Sequence, residues 1–126
     1  MPGRILVVDD NLANLKLAGD LCECEGYLVD RAQSAERALE AIARRHPDLI
    51  LMDLALPGMD GLSLTRALRD RTDTRHIPVV ALTAFAMKHD EERAREAGCD
   101  AYLAKPIDTR ALPELLARLL AQAKAP

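Results

Sequence analysis

The sequence predicts a doubly wound α/β domain, in which helices cover both faces of a parallel β-sheet. Five short apolar runs alternate with segments whose apolar residues recur at helical spacing, which gives a βα unit repeated five times. Strands this apolar are typical of a sheet buried on both faces, because right-handed crossovers place the connecting helices above and below it. The length of 126 residues fits one domain, so we expect residues 1–126 to form a single unit.

The predicted elements follow the chain in strict alternation. The predicted strands are residues 4–8, 27–31, 49–52, 79–82 and 101–104. The predicted helices run from about 11 to 25, from a Ser34 cap to 45, from a turn at 57–61 to about 71, from about 85 to 97, and to about 123. Pro113 lies past the first turn of a helix capped by Asp108, where a proline removes a hydrogen bond. The last helix should therefore start nearer Pro113 or bend there.

Composition and charge exclude several classes of function. Seventeen basic and twenty acidic residues give a net charge of −3, with no dense basic run, so we expect no direct contact with nucleic acid. No apolar stretch approaches the roughly 20 residues that span a bilayer, and the N-terminus does not resemble a signal peptide. We therefore expect a cytoplasmic protein that does not enter the membrane. The cysteine and histidine residues lack zinc or CxxC spacing, which predicts reduced thiols.

Chemically active side chains follow four of the five predicted strands. In a parallel α/β sheet, ligands bind beyond the carboxyl ends of the strands, where the strand order reverses. The residues at these positions are Asp9 and Asp10 after the first strand, Asp53 after the third, Thr83 after the fourth and Lys105 after the fifth. The three carboxylates would repel one another unless a hard cation neutralised them, and Mg²⁺ accepts such oxygen ligands while leaving room for a phosphate.

A carboxylate nucleophile, a divalent cation, a lysine and a hydroxyl group together make a phosphoryl-transfer site. Catalysis at such sites consists mainly of positioning and charge neutralisation. Taken singly, each residue has an ordinary structural explanation: Asp53 could cap a turn, Thr83 could cap a helix, and Lys105 could be a surface residue. Their joint occurrence at the ends of four strands favours the functional interpretation.

Four motifs, in order, resemble the receiver domain of two-component response regulators. They are ILVVDDN at 5–11, PDLILMDLALPGMDG at 47–61, PVVALTAFA at 78–86 and AGCDAYLAKPID at 97–108. The resemblance covers nearly the whole chain and implies the flavodoxin-like strand order 2-1-3-4-5. It also implies a phosphorylation-controlled switch in a histidine-to-aspartate phosphorelay. Its expected partners are a sensor histidine kinase or histidine phosphotransfer protein and a downstream protein target.

The resemblance also implies a role for each site residue. Asp53 would accept the phosphoryl group. Asp10, Asp53 and the backbone carbonyl of Ala55 would ligate Mg²⁺, while Asp9 would hold water bound to the metal. Lys105 would pair with the phosphoryl oxygens, and the peptide bond that follows it would be cis. Thr83 and Tyr102 would form the switch pair of a face built from the fourth helix, the fifth strand and the fifth helix.

Two other functions are compatible with parts of this pattern. A phosphatase of the haloacid-dehalogenase type also uses an aspartyl nucleophile with Mg²⁺, but its DxD motif on the first strand is replaced here by Asp9, Asp10 and Asn11. A receiver excised from a hybrid histidine kinase or a multidomain regulator would carry the same motifs as a stand-alone one. We expect a stand-alone switch that turns over no external substrate.

Overall fold

The computed structural model describes residues 3–56, 58–83, 88–105 and 107–124. The predicted helix start at Phe85, the proline of the 57–61 turn and the cis bond before Pro106 lie outside these residues. The five strands are β1 (Arg4–Val8), β2 (Leu28–Ala32), β3 (Leu49–Asp53), β4 (Val79–Thr83) and β5 (Ala101–Ala104). They form one parallel sheet in the order β2-β1-β3-β4-β5. The predicted fold class and strand order are confirmed.

Five helices connect or follow the strands. They are α1 (Leu12–Cys24), α2 (Ala35–Arg44), α3 (Gly61–Asp70), α4 (Lys88–Ala97) and α5 (Ala111–Lys124). The side chains of Asn11, Ser34 and Asp60 accept hydrogen bonds from backbone amides three residues later and so cap α1, α2 and α3. Within the described part of the chain, no helix is long and apolar enough to cross a membrane.

Three strands end one residue later than the sequence predicts. The second was predicted over residues 27–31 and lies one residue further along at both ends, as β2 (Leu28–Ala32), whereas the other two gain a polar residue. β3 includes Asp53, which pairs with Leu82, and β4 includes Thr83, which pairs with Ala104. A polar side chain signals the end of an apolar run, but it does not interrupt the backbone ladder. As a result, both residues belong to the rigid sheet and not to a loop.

The start of α5 resolves the question that Pro113 raised. The Asp108 carboxylate accepts hydrogen bonds from the amides of Arg110 and Ala111, at 2.8 and 3.1 Å, and its carbonyl accepts the Leu112 amide at 3.1 Å. Pro113 has no amide hydrogen to continue this ladder, so the regular helix begins at Ala111. The helix therefore starts close to Pro113, as one of the two predicted alternatives states.

The sheet separates two apolar layers. Alternate residues of β1 and β3 point to opposite faces: Leu6, Val8, Ile50 and Met52 join the cluster under α2 and α3, whereas Ile5, Val7, Leu49 and Leu51 join the cluster under α1 and α5. All eight side chains are buried. A third, smaller cluster joins α3 and α4 to β4. These layers fix the strand ends that carry the candidate site.

Candidate functional site

Asp9 is buried and oriented by two backbone contacts. It follows β1 directly, and its side chain is only 2% exposed. Its amide donates to the carbonyl of Ala32 at 3.0 Å, and its Oδ1 accepts the amide of Asn11 at 2.9 Å. Asn11 in turn caps α1 through Asn14, so one residue links the acidic side chain to the start of the helix. The next residue, Asp10, is exposed.

Asp53 lies at the carboxyl end of the central strand. Asp53 is only 4% exposed, and its Oδ1 accepts a hydrogen bond from the amide of Ala55 at 3.1 Å. The ladder pairing with Leu82 and the hydrogen bond from Leu54 to the Leu82 carbonyl, at 3.0 Å, hold the backbone on both sides of it. The carboxylate therefore has a fixed orientation toward the edge of the sheet.

Gly61 allows α3 to begin directly against Asp53. A Cβ atom at Gly61 would lie 2.5 Å from the Asp53 carbonyl oxygen and 2.9 Å from the Leu54 Cα. Its φ angle is not positive, so glycine is required here for space and not for backbone conformation. The Gly61 amide also donates to the Leu54 carbonyl at 3.2 Å. The sequence suggested only a turn residue at this position.

Lys105 supplies a positive charge to the site. Its amide donates to the carbonyl of Thr83 at 2.7 Å, which holds the residue beside β4. Its Nζ lies 2.7 Å from Asp9 Oδ2 and 3.3 Å from Asp53 Oδ2. The lysine side chain is 14% exposed, so both ion pairs are shielded from water. One ammonium group thus bridges the two buried carboxylates.

Burial and neighbouring charges shift the pKa values of both partners. The pKa of Asp53 is raised, first because burial disfavours its charged form and also because of the Asp9 carboxylate, against the lowering effects of the Ala55 amide and Lys105. For Lys105, burial alone would lower the pKa, but the contacts with Asp9 and Asp53 outweigh it and the pKa is raised. The lysine is therefore held in its charged form beside the two buried carboxyl groups.

The carboxylates suit a hard divalent cation. One oxygen each from Asp9, Asp10 and Asp53 lie within 4.8 Å of one another. Lys105 is the one basic side chain that pairs with any of them among the described residues. Oxygen ligands in a partly exposed cluster fit Mg²⁺, which typically keeps waters and binds through one or two carboxylates. The prediction of a magnesium site therefore fits the observed arrangement.

The predicted switch residues Thr83 and Tyr102 lie on the neighbouring strands β4 and β5. Thr83 is buried at the end of β4, at the same edge of the sheet as Asp53. Tyr102 pairs with Ala81 in the ladder and packs against the cluster of β4, α3 and α4. The two residues thus lie on neighbouring strands, one at the site and one beside α4.

Sequence reasoning assigned no site role to Asn11 and none to Gly61 beyond a turn. The Asn11 amide orients Asp9, and Gly61 admits α3 against the carbonyl of Asp53. Both effects act through the backbone, which side-chain chemistry does not reveal. A turn motif ending in glycine at the start of a helix was the only signal available.

The chain belongs to the family of response regulator receiver domains. It matches the model of that domain over residues 5–117. Receivers are phosphorylation-controlled switches of two-component systems, and they act with histidine kinases and downstream targets. Receiver domains also bind Mg²⁺ in an acidic pocket, which agrees with the aspartate cluster.

Particular relatives support the same assignment. The polar-differentiation response regulator DivK of Brucella ovis is 47% identical over 123 residues, which is 98% of this chain and 100% of that protein. A putative response regulator from Chloroflexus aurantiacus has a TM-score of 0.92 at 34% identity, over 96% of this chain and 99% of that one.

A receiver domain of a histidine kinase is also similar. The receiver of sensor histidine kinase PA1611 from Pseudomonas aeruginosa, with a magnesium ion coordinated in its active site cleft, has a TM-score of 0.88 at 36% identity. The alignment covers 96% of this chain and 99% of that one. The magnesium ion in that cleft is a property of that structure.

Proposed function

We propose that Asp53 accepts a phosphoryl group from a phosphohistidine of a partner kinase or phosphotransfer protein. The observation that carries this proposal is the buried Asp53 carboxylate at the end of β3, with Lys105 Nζ 3.3 Å away and two further carboxylates beside it. In the transfer, an Asp53 oxygen forms a bond to phosphorus as the bond between phosphorus and the histidine nitrogen breaks. The electron pair of the broken bond stays on the imidazole.

The surrounding residues have distinct roles in this proposal. Lys105 holds a positive charge where the phosphoryl oxygens arrive, and the amide of Ala55 keeps the Asp53 carboxylate oriented. Asp10, Asp53 and the carbonyl of Ala55 would hold Mg²⁺, with Asp9 beside them. When bound, the ion neutralises negative charge on the phosphoryl group.

The output of the site would pass through Thr83 and Tyr102. The Thr83 hydroxyl would bind the phosphoryl group, and Tyr102 would change its packing against the α4 cluster in response. This change would alter a protein-binding face on α4, β5 and α5. The chain would then act as a switch that catalyses only its own phosphorylation and dephosphorylation.

We further propose that residues 1–126 form one domain, since the apolar layers join elements from β1 to α5.

A phosphodonor assay tests the assignment of Asp53. The protein is incubated with acetyl phosphate and Mg²⁺, and its intact mass is measured beside the variants Asp53→Asn and Asp60→Asn. Asp60 is a matched control because it caps α3 near the same edge of the sheet and asparagine keeps that cap. We expect a Mg²⁺-dependent adduct of one phosphoryl group on the wild type and on Asp60→Asn, and none on Asp53→Asn. An equal adduct on Asp53→Asn would reject the assignment.

A further inference from the structure

A single arginine at the end of α3 connects three separate segments of the chain. Arg69 Nε donates to the Gly98 carbonyl at 2.9 Å, and Nη2 donates to Asp100 Oδ2 at 2.7 Å. Its Nη1 donates to the carbonyls of Arg75 and Ile77, at 3.0 and 2.7 Å. Hydrogen bonds from a charged donor are stronger than neutral ones. Each guanidinium nitrogen is engaged, and the side chain is largely shielded at 21% exposure.

The same contacts fix the C-terminal end of α4 to the start of β4. Asp100 Oδ2 also accepts the Val79 amide, and the Asp100 amide donates to the Val79 carbonyl, both at 2.8 Å. Gly98 has a φ angle of +107°, and a Cβ atom there would lie 2.8 Å from Arg69 Cγ. We call Arg69, Val79, Gly98 and Asp100 the Arg69 clamp.

Along its length, α4 is attached to the protein by little apolar surface. Of residues 91–97 of the helix, Ala94 and Ala97 are buried and the others are exposed. These two alanines pack with Leu62 and Ala81 in the smallest of the three apolar clusters. Hydrophobic stabilisation scales with buried area, and an alanine buries little. The helix is thus held firmly at one end and loosely along its inner face.

We propose that the Arg69 clamp is a pivot about which α4 tilts when Asp53 is phosphorylated. The inference rests on the proposed phosphorylation of Asp53. Thr83 lies at the site and at the end of β4, the strand that precedes α4 in the chain, whereas Val79, at the other end of β4, is held by the clamp. A rigid helix fixed at one end responds to a displacement of the other by rotation. Ten residues give a lever of about 15 Å.

In this arrangement Arg69 is a positioning residue that never contacts the phosphoryl group. Because the clamp also fixes Asp100, the residue before β5, a tilt of α4 changes the packing around Tyr102 while the start of the strand stays in place. The clamp would therefore convert a local change at Thr83 into a directed movement of one face.

Amide spectra of the full chain with Mg²⁺ and beryllofluoride, a phosphoryl mimic, test the pivot. In the wild type we expect shift changes that decrease along α4 from residue 91 to residue 97 and are smallest at 97–100. Arg69→Gln should enlarge the changes at 97–100 and weaken the change at Tyr102, with beryllofluoride affinity altered by roughly fivefold. Arg71→Gln is the matched control, since Arg71 is an exposed arginine next to α3 whose side chain, among the residues that the structure describes, pairs with Asp73 alone.

Each outcome of this experiment is decisive. If beryllofluoride does not bind, as judged by the Asp53 amide, the proposed function fails and the pivot fails with it. If it binds and the largest wild-type changes fall at 97–100, the pivot alone is rejected. A folded Arg69→Gln variant that responds like Arg71→Gln rejects it as well. Should Arg69→Gln not fold, Arg69→Lys provides the same comparison, because its single ammonium group keeps the charge but cannot reach the Gly98, Arg75 and Ile77 carbonyls and Asp100 together.

Discussion

The contact between Gly61 and Asp53 predicts that a single methyl group damages both stability and phosphorylation. In Gly61→Ala, the new Cβ would lie 2.5 Å from the Asp53 carbonyl oxygen, 2.9 Å from the Leu54 Cα and 3.0 Å from the Met52 Cγ. Two of these three atoms belong to the backbone of the sheet edge and cannot rotate away. The start of α3 must therefore move away from β3.

The magnitude follows from two opposing effects. Overpacking of a rigid contact costs about 1–3 kcal/mol, whereas alanine is favoured over glycine in helices by up to about 1 kcal/mol. We expect a net loss of about 1–2 kcal/mol in the free energy of unfolding. For a chain of this size, that loss lowers Tm by about 3–10 °C. Phosphorylation by acetyl phosphate should slow as well, because the backbone of the acceptor is displaced.

Gly19→Ala is the matched control for this experiment. A Cβ at Gly19 would meet the guanidinium group of Arg31, which is the far end of a flexible and partly exposed side chain. Arg31 can move aside, so the gain in helix propensity remains and stability should be unchanged or slightly raised. Thermal unfolding followed by circular dichroism measures both variants. Equal Tm values and equal phosphorylation rates for the two would refute the reasoning.

Three further predictions concern charge, capping and thiols. Asp53→Asn should raise Tm in EDTA at neutral pH, because burial raises the Asp53 pKa and the charged form is lost in the variant; an unchanged or lower Tm contradicts this. Asp60→Ala should lower the free energy of unfolding by about 1 kcal/mol, because it removes the cap of α3. The Ser63 amide lowers the Asp60 pKa, so the charge-dependent part of this difference should be fully present well above pH 3.8 and be lost as the pH falls through the lowered pKa, while the neutral carboxyl still accepts the amide. Cys24 should react with a thiol reagent in the native state, whereas Cys22 should react only on unfolding, because it is buried with a pKa of about 12.

Controls separate these effects from general damage. Asp60→Asn keeps the acceptor for the Ser63 amide, so its unfolding curve should lie near that of the wild type. A Cys24→Ser variant should lose the fast thiol reaction entirely. Rapid modification of Cys22 in that variant would show that its side of α1 opens in the native state.

The order of elements and the site could be predicted from sequence because both depend on local signals. Buried parallel strands are short apolar runs, and the rule that ligands bind at the carboxyl ends of strands gathers Asp9, Asp53 and Lys105 without knowledge of the packing. The structure brings these three together, with Lys105 Nζ between the two carboxylates.

The remaining features depend on contacts between distant segments. The partners of Arg69 include residues 29 and 31 positions away, and nothing in the run around Arg69 indicates that it binds carbonyl groups. The close approach of Gly61 to Asp53 is set by how α3 docks against β3. Such contacts arise from three-dimensional packing, which periodicity and spacing do not encode.

The division of the interior by the sheet has a consequence for how this protein can change over evolutionary time. Because α1 and α5 share one buried layer while α2 and α3 share the other, the backbone of the sheet separates a substitution beneath one pair of helices from the side chains beneath the other. New partner preferences could accumulate on the α1 side without repacking the opposite layer. The carboxylates at the strand ends would meanwhile remain anchored by the backbone ladder that both layers share.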